Sequence, residues 1–309
     1  MYDIVIVGAG PAGLTAALYC GRSKLRTKVL DEGQSGGQLN LTEEVDNFPG
    51  VFKSRSKDLV ETMVKQVKDF EGVELDEFKK VLSIEHTKDA VKLVVQLTID
   101  EKKLELEAKA LIVASGAHPK RLGVVGEEGL IGKGVSYCAV CDAPFFRDKD
   151  VVLIGGGNTA IEEALYLAKF TRSVKVIHRR DQLRAVGIVE ERARSNPKIE
   201  FVLDSVVEEI CGGQRVEGVK AKNVKSGEVS EIKCSGVFIF VGYTPNTEFL
   251  GDSINLDGDK FIITDDTMAT NKKGIFACGD CRKRPFKQVI TACGEGAVAA
   301  HAAEKHIEK

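Results

Sequence analysis

Tyr2-Asp3-Ile4-Val5-Ile6-Val7 runs into Gly8-Ala9-Gly10-Pro11-Ala12-Gly13, and one domain length later Val151-Val152-Leu153-Ile154 runs into Gly155-Gly156-Gly157-Asn158-Thr159-Ala160. Each stretch reads as an apolar strand, a glycine-rich turn and the opening of a helix. In G-x-G-x-x-G the first glycine allows the tight turn and the second lets the backbone approach a pyrophosphate. The third lets helix and strand pack closely, and alanine is tolerated there. Amide groups at the helix start then face the phosphate charge. A chain that repeats this opening at domain spacing is expected to bind two nucleotides, through Gly8, Gly10, Ala12 and Gly13 and through Gly155, Gly157, Asn158 and Thr159.

The end of the next strand separates the two sites. Thr27-Lys28-Val29-Leu30 ends in Asp31, whose carboxylate can accept hydrogen bonds from ribose hydroxyls. Val174-Lys175-Val176-Ile177 ends in His178-Arg179-Arg180, with Arg184 beyond, expected one helical turn on. Arginines attract a 2′-phosphate and grip it bidentately, where an acid would repel it. At roughly 1.5–3 kcal/mol per charge-assisted bond, two such bonds favour NADP(H) over NAD(H) by on the order of a hundredfold. The alternatives are a plain turn with a solvated acid and a solvated basic turn.

The chain of 309 residues is long enough for about two domains. Lys and Arg number 44 against 46 Asp and Glu, a net charge of −2 that argues against binding nucleic acid by phosphate attraction. No apolar run reaches the ~18 residues of a membrane helix, and Met1-Tyr2-Asp3-Ile4-Val5 reads as strand and not as an export signal, so a cytoplasmic location is expected. Eight cysteines are too few for a disulfide scaffold.

Two cysteine pairs have C-x-x-C spacing, Cys138/Cys141 and Cys278/Cys281. In Cys138-Ala139-Val140-Cys141-Asp142 the two sulfurs can meet in a small ring and cycle between dithiol and disulfide, with Asp142 as proton relay. A zinc half-site or two idle thiols are the other readings; a zinc site needs a second ligand pair, and none adjoins this one in sequence. His86, His118, His301 and His306 show no partner pattern. Elsewhere, helical spacing predicts a helix over Ser56–Phe70 and another over Gln288–Ile307, and alternation predicts β-meanders over Val73–Val113 and Phe201–Cys234. Gly116-Ala117-His118-Pro119 and Gly242-Tyr243-Thr244-Pro245 are candidate hinges.

Taken in order, Gly8–Gly13, Gly36-Gly37-Gln38-Leu39, Glu44-Val45-Asp46-Asn47-Phe48-Pro49-Gly50, Cys138–Asp142, His178-Arg179-Arg180-Asp181-Gln182-Leu183-Arg184-Ala185, Gly279-Asp280 and Gln288-Val289 resemble the low-molecular-weight thioredoxin reductases of bacteria and archaea. The likeness covers the whole length. It implies an α/β fold of two Rossmann-like, three-layer (ββα) nucleotide-binding domains, with an NADPH domain at 117–243 inserted into an FAD domain at 1–116 and 244–309. It implies FAD in the first site, completed by Gly37, Gln38, Asn47, Gly279, Asp280, Lys287, Gln288 and Val289, and NADPH in the second. Asp280 would contact the ribityl-phosphate portion of FAD, and Gln288 and Val289 would face the flavin ring, where a helix N-terminus favours negative charge.

By the same resemblance, two electrons pass from NADPH through FAD to the Cys138–Cys141 disulfide and on to thioredoxin or a glutaredoxin-like protein disulfide oxidoreductase. Cys141 would face the flavin and Cys138 attack the partner, in a homodimer whose NADPH domain rotates about the two hinges. Cys278 and Cys281 read as buried substitutions, with an auxiliary redox role as the alternative, and Cys20, Cys211, Cys234 and Cys293 as structural thiols. Val140, Ala143, Leu183 and Lys287 depart from the common family residues Thr, Gly, an aromatic and Arg; none removes a reacting atom. A flavin-dependent dithiol oxidase of small molecules is the alternative activity on this fold, and it has no need of the arginines.

Overall fold

A computed structural model describes the whole chain except residues 42, 43, 46, 53, 88, 89, 98–101, 186 and 309, so Asp46 of the Glu44–Gly50 motif lies outside the described residues. The chain forms two compact units, Met1–His118 with Thr244–Lys309, and Pro119–Tyr243.

In the first unit the strands Val73–Asp76, Thr27–Leu30, Tyr2–Val7 and Lys103–Val113 lie side by side in parallel, and Ile275–Ala277 adds in parallel to Lys103–Val113. Ile4, Ile6, Leu111 and Ile112 are wholly buried. That explains why these strands read as continuous apolar runs: helices cover one face, and the meander strands of the same sheet, with Leu250 and Ile254, pack on the other. The long strand Lys103–Val113 serves two neighbours in turn. Its first half alternates in burial and pairs antiparallel with Val91–Leu97; its second half is apolar and joins Tyr2–Val7. The terminal helix Val289–Ile307 packs on the helix Pro11–Arg22. A Cβ at Gly296 would come within 2.2 Å of the Ala12 carbonyl oxygen, so glycine is what lets the two helices approach so closely.

The second unit repeats the plan. Val135–Ser136, Gly236–Ile239, Asp150–Ile154, Ser173–Ile177 and Ile199–Val202 form a parallel sheet. Ser205–Gly212, Val216–Asn223 and Val229–Lys233 form an antiparallel one.

Both predicted meanders begin one strand too early. Val73–Asp76 and Ile199–Val202 are edge strands of the parallel sheets, not first strands of the meanders. After each, two residues intervene before the next strand, and the second has left-handed backbone: Phe78 at φ 58° and Asp204 at φ 50°. At Phe78 the chain crosses from one edge of its sheet to the other, and at Asp204 it passes to a different sheet, both without the glycine that normally marks such a turn. The helices fall at Ser56–Lys68 and Val289–Ile307, the latter with Gln288 as its N-cap in a capping box with Thr291. Among the described residues no helix is long and apolar enough to cross a membrane.

Candidate active site

Three clusters emerge, two in the glycine loops and one at the first cysteine pair. In the first loop Gly8 has φ +106°, and a Cβ there would meet the Ala114 carbonyl oxygen at 2.2 Å. A Cβ at Gly13 would meet the Gly8 carbonyl oxygen at 1.8 Å. Gly10 is different: nothing lies nearer its Cβ position than Gly37 Cα at 3.9 Å. The first and third glycines are therefore spent on packing, and the second leaves an open cradle with Gly37. No side chain caps the helix Pro11–Arg22, so its first amide groups are free for an anion.

Asp31 accepts from Ala9 N–H at 2.6 Å and from Gly33 N–H at 2.9 Å. Burial raises its pKa against these two bonds. It fastens the loop to the second strand, and its remaining lone pairs leave acceptor capacity for a hydroxyl.

The residues expected from distant segments converge on this loop. Gln38 Nε2 donates to Asp280 Oδ2 at 3.2 Å and to the Ala117 carbonyl at 2.8 Å. Lys287 Nζ donates to the Asp280 carbonyl at 2.8 Å, and burial lowers its pKa. Asn47 Nδ2 donates to Gln288 Oε1 at 3.1 Å, which places Asn47 beside the start of the helix that Val289 opens. Gly279, at φ +76°, is pressed against Ala12, whose Cβ is 2.8 Å from the position a Cβ of Gly279 would take.

Behind Asp280 stands an ion cluster that sequence reasoning missed. Arg284 Nη2 lies 2.6 Å from Asp280 Oδ1, Arg282 Nη1 lies 2.7 Å from Glu295 Oε1, and Gly279 N–H donates to Glu295 Oε2 at 2.8 Å. Arg284 Nη1 is 3.1 Å from Glu295 Oε2 but out of line for a hydrogen bond, and it and Nε are buried without a partner. The lone signal was Glu295 itself, an acid between two glycines in the largely apolar first half of its helix. Burial raises the pKa of Asp280, while Arg284 and Lys287 oppose that shift.

In the second loop Gly155 has φ +153°, and its Cβ would meet the Phe240 carbonyl oxygen at 2.6 Å and Ala160 Cβ at 2.7 Å. Gly157 is open, with Arg184 Nη2 nearest at 3.8 Å. The helix Asn158–Leu167 begins there without a side-chain cap, and Asn158 and Thr159 stand exposed on its first turn. Arg179, Arg180 and Arg184 have no carboxylate partner among the described residues; Arg179 and Arg180 are exposed. The expected helical turn between Arg180 and Arg184 is absent: the next helix starts at Gly187. Arg184 returns to the loop because its N–H donates to the Gly156 carbonyl at 2.7 Å. His178 differs from its neighbours in being buried.

Cys138 and Cys141 are joined in a disulfide, with Cα atoms 5.3 Å apart. The sulfurs are spent on each other and hold no open half-site. Cys138 is the N-cap of the short helix Ala139–Asp142, and its Sγ accepts from Cys141 N–H at 3.2 Å. Both cysteines are half-buried. Burial raises the pKa of Asp142, opposed by a hydrogen bond with Ser136. Cys278 and Cys281 are free and fully buried, while Cys211 is half-exposed and not a core thiol. His86 and His118 do have partners: the Lys273 carbonyl and Asn246 Oδ1, each at 2.8 Å.

The residues present fit a flavin dinucleotide in the first unit and a nicotinamide dinucleotide phosphate in the second. The first has an open glycine pair, uncapped amides and orphaned buried guanidinium N–H groups; the second has a second open loop beside three arginines without carboxylate partners.

Two nucleotide loops with one redox disulfide define a class, and the comparisons agree with it. Residues 2–296 match the pyridine nucleotide-disulphide oxidoreductase family, and the chain belongs to that family. Within it, the chain is 44% identical to a thioredoxin reductase of Peptoclostridium acidaminophilum, over all of this chain and 98% of that one. It is 41% identical to one of Listeria monocytogenes, covering 100% and 95% of the two chains. The crystal structure of thioredoxin reductase from Streptococcus pyogenes has a TM-score of 0.91 at 44% identity, covering 100% of this chain and 98% of that one.

Proposed function

We propose that this protein is an NADPH-dependent thioredoxin reductase. The observation that carries the reading is the bonded Cys138–Cys141 pair in the unit that also bears an open glycine loop flanked by arginines without carboxylate partners. FAD and NADPH are its cofactors. FAD supplies the two-electron carrier between the nicotinamide and the disulfide. Gly8, Gly10, Ala12, Gly13, Gly37 and the helix amides hold its pyrophosphate, and Asp31 orients its ribose. Gln38, Asn47, Asp280, Lys287, Gln288 and Val289 hold the remainder. Gly155, Gly157, Asn158 and Thr159 hold the NADPH pyrophosphate, and Arg179, Arg180 and Arg184 its 2′-phosphate.

Cys141 receives the electron pair and Cys138 leaves as a thiolate. Cys138 then attacks the partner disulfide, and Cys141 resolves the mixed disulfide by attacking Cys138 and releasing the partner's thiolate. Asp142, whose pKa burial raises above the ordinary carboxylate value, hands a proton to the partner's departing thiolate. The sum is NADPH + H⁺ + partner disulfide giving NADP⁺ + partner dithiol. Thioredoxin is the partner that the relatives favour; a glutaredoxin-like oxidoreductase is the second candidate. The working form is read as a cytoplasmic homodimer.

The test is NADPH oxidation by the purified yellow protein with thioredoxin, a glutaredoxin-like protein or oxygen as sole acceptor. Turnover with thioredoxin supports the reading; turnover with oxygen alone turns it into the dithiol-oxidase alternative. A colourless protein that refuses FAD ends it.

A further inference from the structure

Gly156 of the second loop is gripped from two sides, and the role assigned to that grip rests on the NADPH reading and deepens it. His178 is 5% exposed, and its Nε2 is sealed from water with no hydrogen-bond partner. A Cβ on Gly156 would lie 2.3 Å from His178 Nδ1 and 2.5 Å from Cε1. The imidazole is therefore packed on the bare Cα of the loop's middle residue. The Gly156 carbonyl meanwhile accepts the Arg184 N–H at 2.7 Å. His178 and Arg184 bracket the segment that carries the arginines, and both of its ends hold Gly156.

We propose that His178 is a positioning residue for dinucleotide selection, a ring wedged against Gly156 that ties the pyrophosphate loop to the arginine segment. A 2′-phosphate held by the arginines then also fixes the loop beneath the pyrophosphate, and selectivity exceeds the sum of the direct ion pairs. Burial, with the neighbouring arginines, lowers the imidazole pKa against a hydrogen bond with the Gln182 backbone, so the wedge is neutral.

The experiment measures equilibrium binding of NADP⁺ and NAD⁺ to the purified holoenzyme by calorimetry, with thermal unfolding and the flavin spectrum as checks on folding. His178→Ala keeps all three arginines. It is expected to weaken NADP⁺ binding by about fivefold or more, the lower end of ordinary coupling between sites, and NAD⁺ by less than about twofold. His178→Phe restores a ring and retains most of the preference. Gly156→Ala, whose Cβ displaces the ring, loses preference as His178→Ala does and serves if that variant fails to fold. Equal weakening of both nucleotides, or an unchanged preference in the Ala variants, overturns the proposal. Equal binding of NADP⁺ and NAD⁺ by the unaltered protein is a distinct result: it sinks the arginine clamp, and the wedge with it.

Discussion

The two C-x-x-C segments share a spacing and little else. Cys138 and Cys278 both precede a short helical turn in extended backbone, at φ −143° and −147°. After Cys138 the chain continues through Ala139 in helix, and Cys141 closes a disulfide back to Cys138. After Cys278 it continues through Gly279 at φ +76°. Cys281 Sγ is then led to the Val113 and Cys278 carbonyls, at 3.4 and 3.3 Å, in place of a sulfur. The first pair is half-buried. The second is sealed, and burial raises both thiol pKa values, that of Cys278 far above the ordinary range with Cys281 adding to it. Spacing makes a disulfide ring possible, but the backbone of the first intervening residue and access to water decide whether it forms and reacts.

The largest effect that tests this contrast is Cys138→Ser. Turnover with thioredoxin falls by about a thousandfold or more, since the attacking sulfur is gone, while NADPH still bleaches the flavin. Cys278→Ala and Cys281→Ala keep turnover within about twofold, and each lowers stability by roughly 1 kcal/mol for the lost sulfur contacts. Comparable losses at the two pairs would erase the distinction.

Next in size, Arg179→Ala with Arg180→Ala raises KM for NADPH by about a hundredfold and barely changes KM for NADH. This asks whether the unit bearing the bonded pair is the one that NADPH loads. An equal rise for both nucleotides removes the clamp.

Asp142→Asn lowers kcat by about 100-fold, the lower end of what a general acid contributes. The sign of its pH dependence is fixed by the raised pKa of Asp142. The acid form, and the rate with it, persists above the ordinary carboxylate range and is lost as pH climbs through that elevated value. Asp142→Asn flattens this limb of the profile; a limb that survives belongs to another group. The same shift affects stability. Asp142 contributes most below its unfolded pKa, and the contribution fades as pH rises through the folded value.

The smallest and most direct contrast is alkylation of the chemically reduced protein at neutral pH. Cys138 is labelled first, and Cys278 and Cys281 only when the protein is unfolded. Mass spectrometry of timed samples reads the order.

Much of this was legible because local rules and tertiary demands agree in the glycine loops. Gly8, Gly13 and Gly155 occupy backbone positions where a Cβ would strike a carbonyl oxygen, and the strands before them are buried on both faces. The convergence of Asn47 with Gln288, and of Gln38 with Asp280, joins residues more than 200 positions apart and came from resemblance alone. Spacing could not reveal the Arg282–Glu295–Arg284–Asp280 cluster either, because Glu295 reaches it from a different element. The left-handed Phe78 and Asp204 hid where each edge strand ends and each meander begins, and His178 looked like part of a basic run until its burial separated it from Arg179 and Arg180.

Electrons from NADPH reach one cysteine pair and not the other. Oxidised protein given two equivalents of NADPH without oxygen, then alkylated after unfolding and mapped by mass spectrometry, shows which disulfide was opened when compared with a sample given no NADPH. The account predicts new label at Cys138 and Cys141 alone, with the remaining six cysteines labelled equally in both samples. A Cys138–Cys141 bond that survives the NADPH, or new label at Cys278 and Cys281, contradicts it.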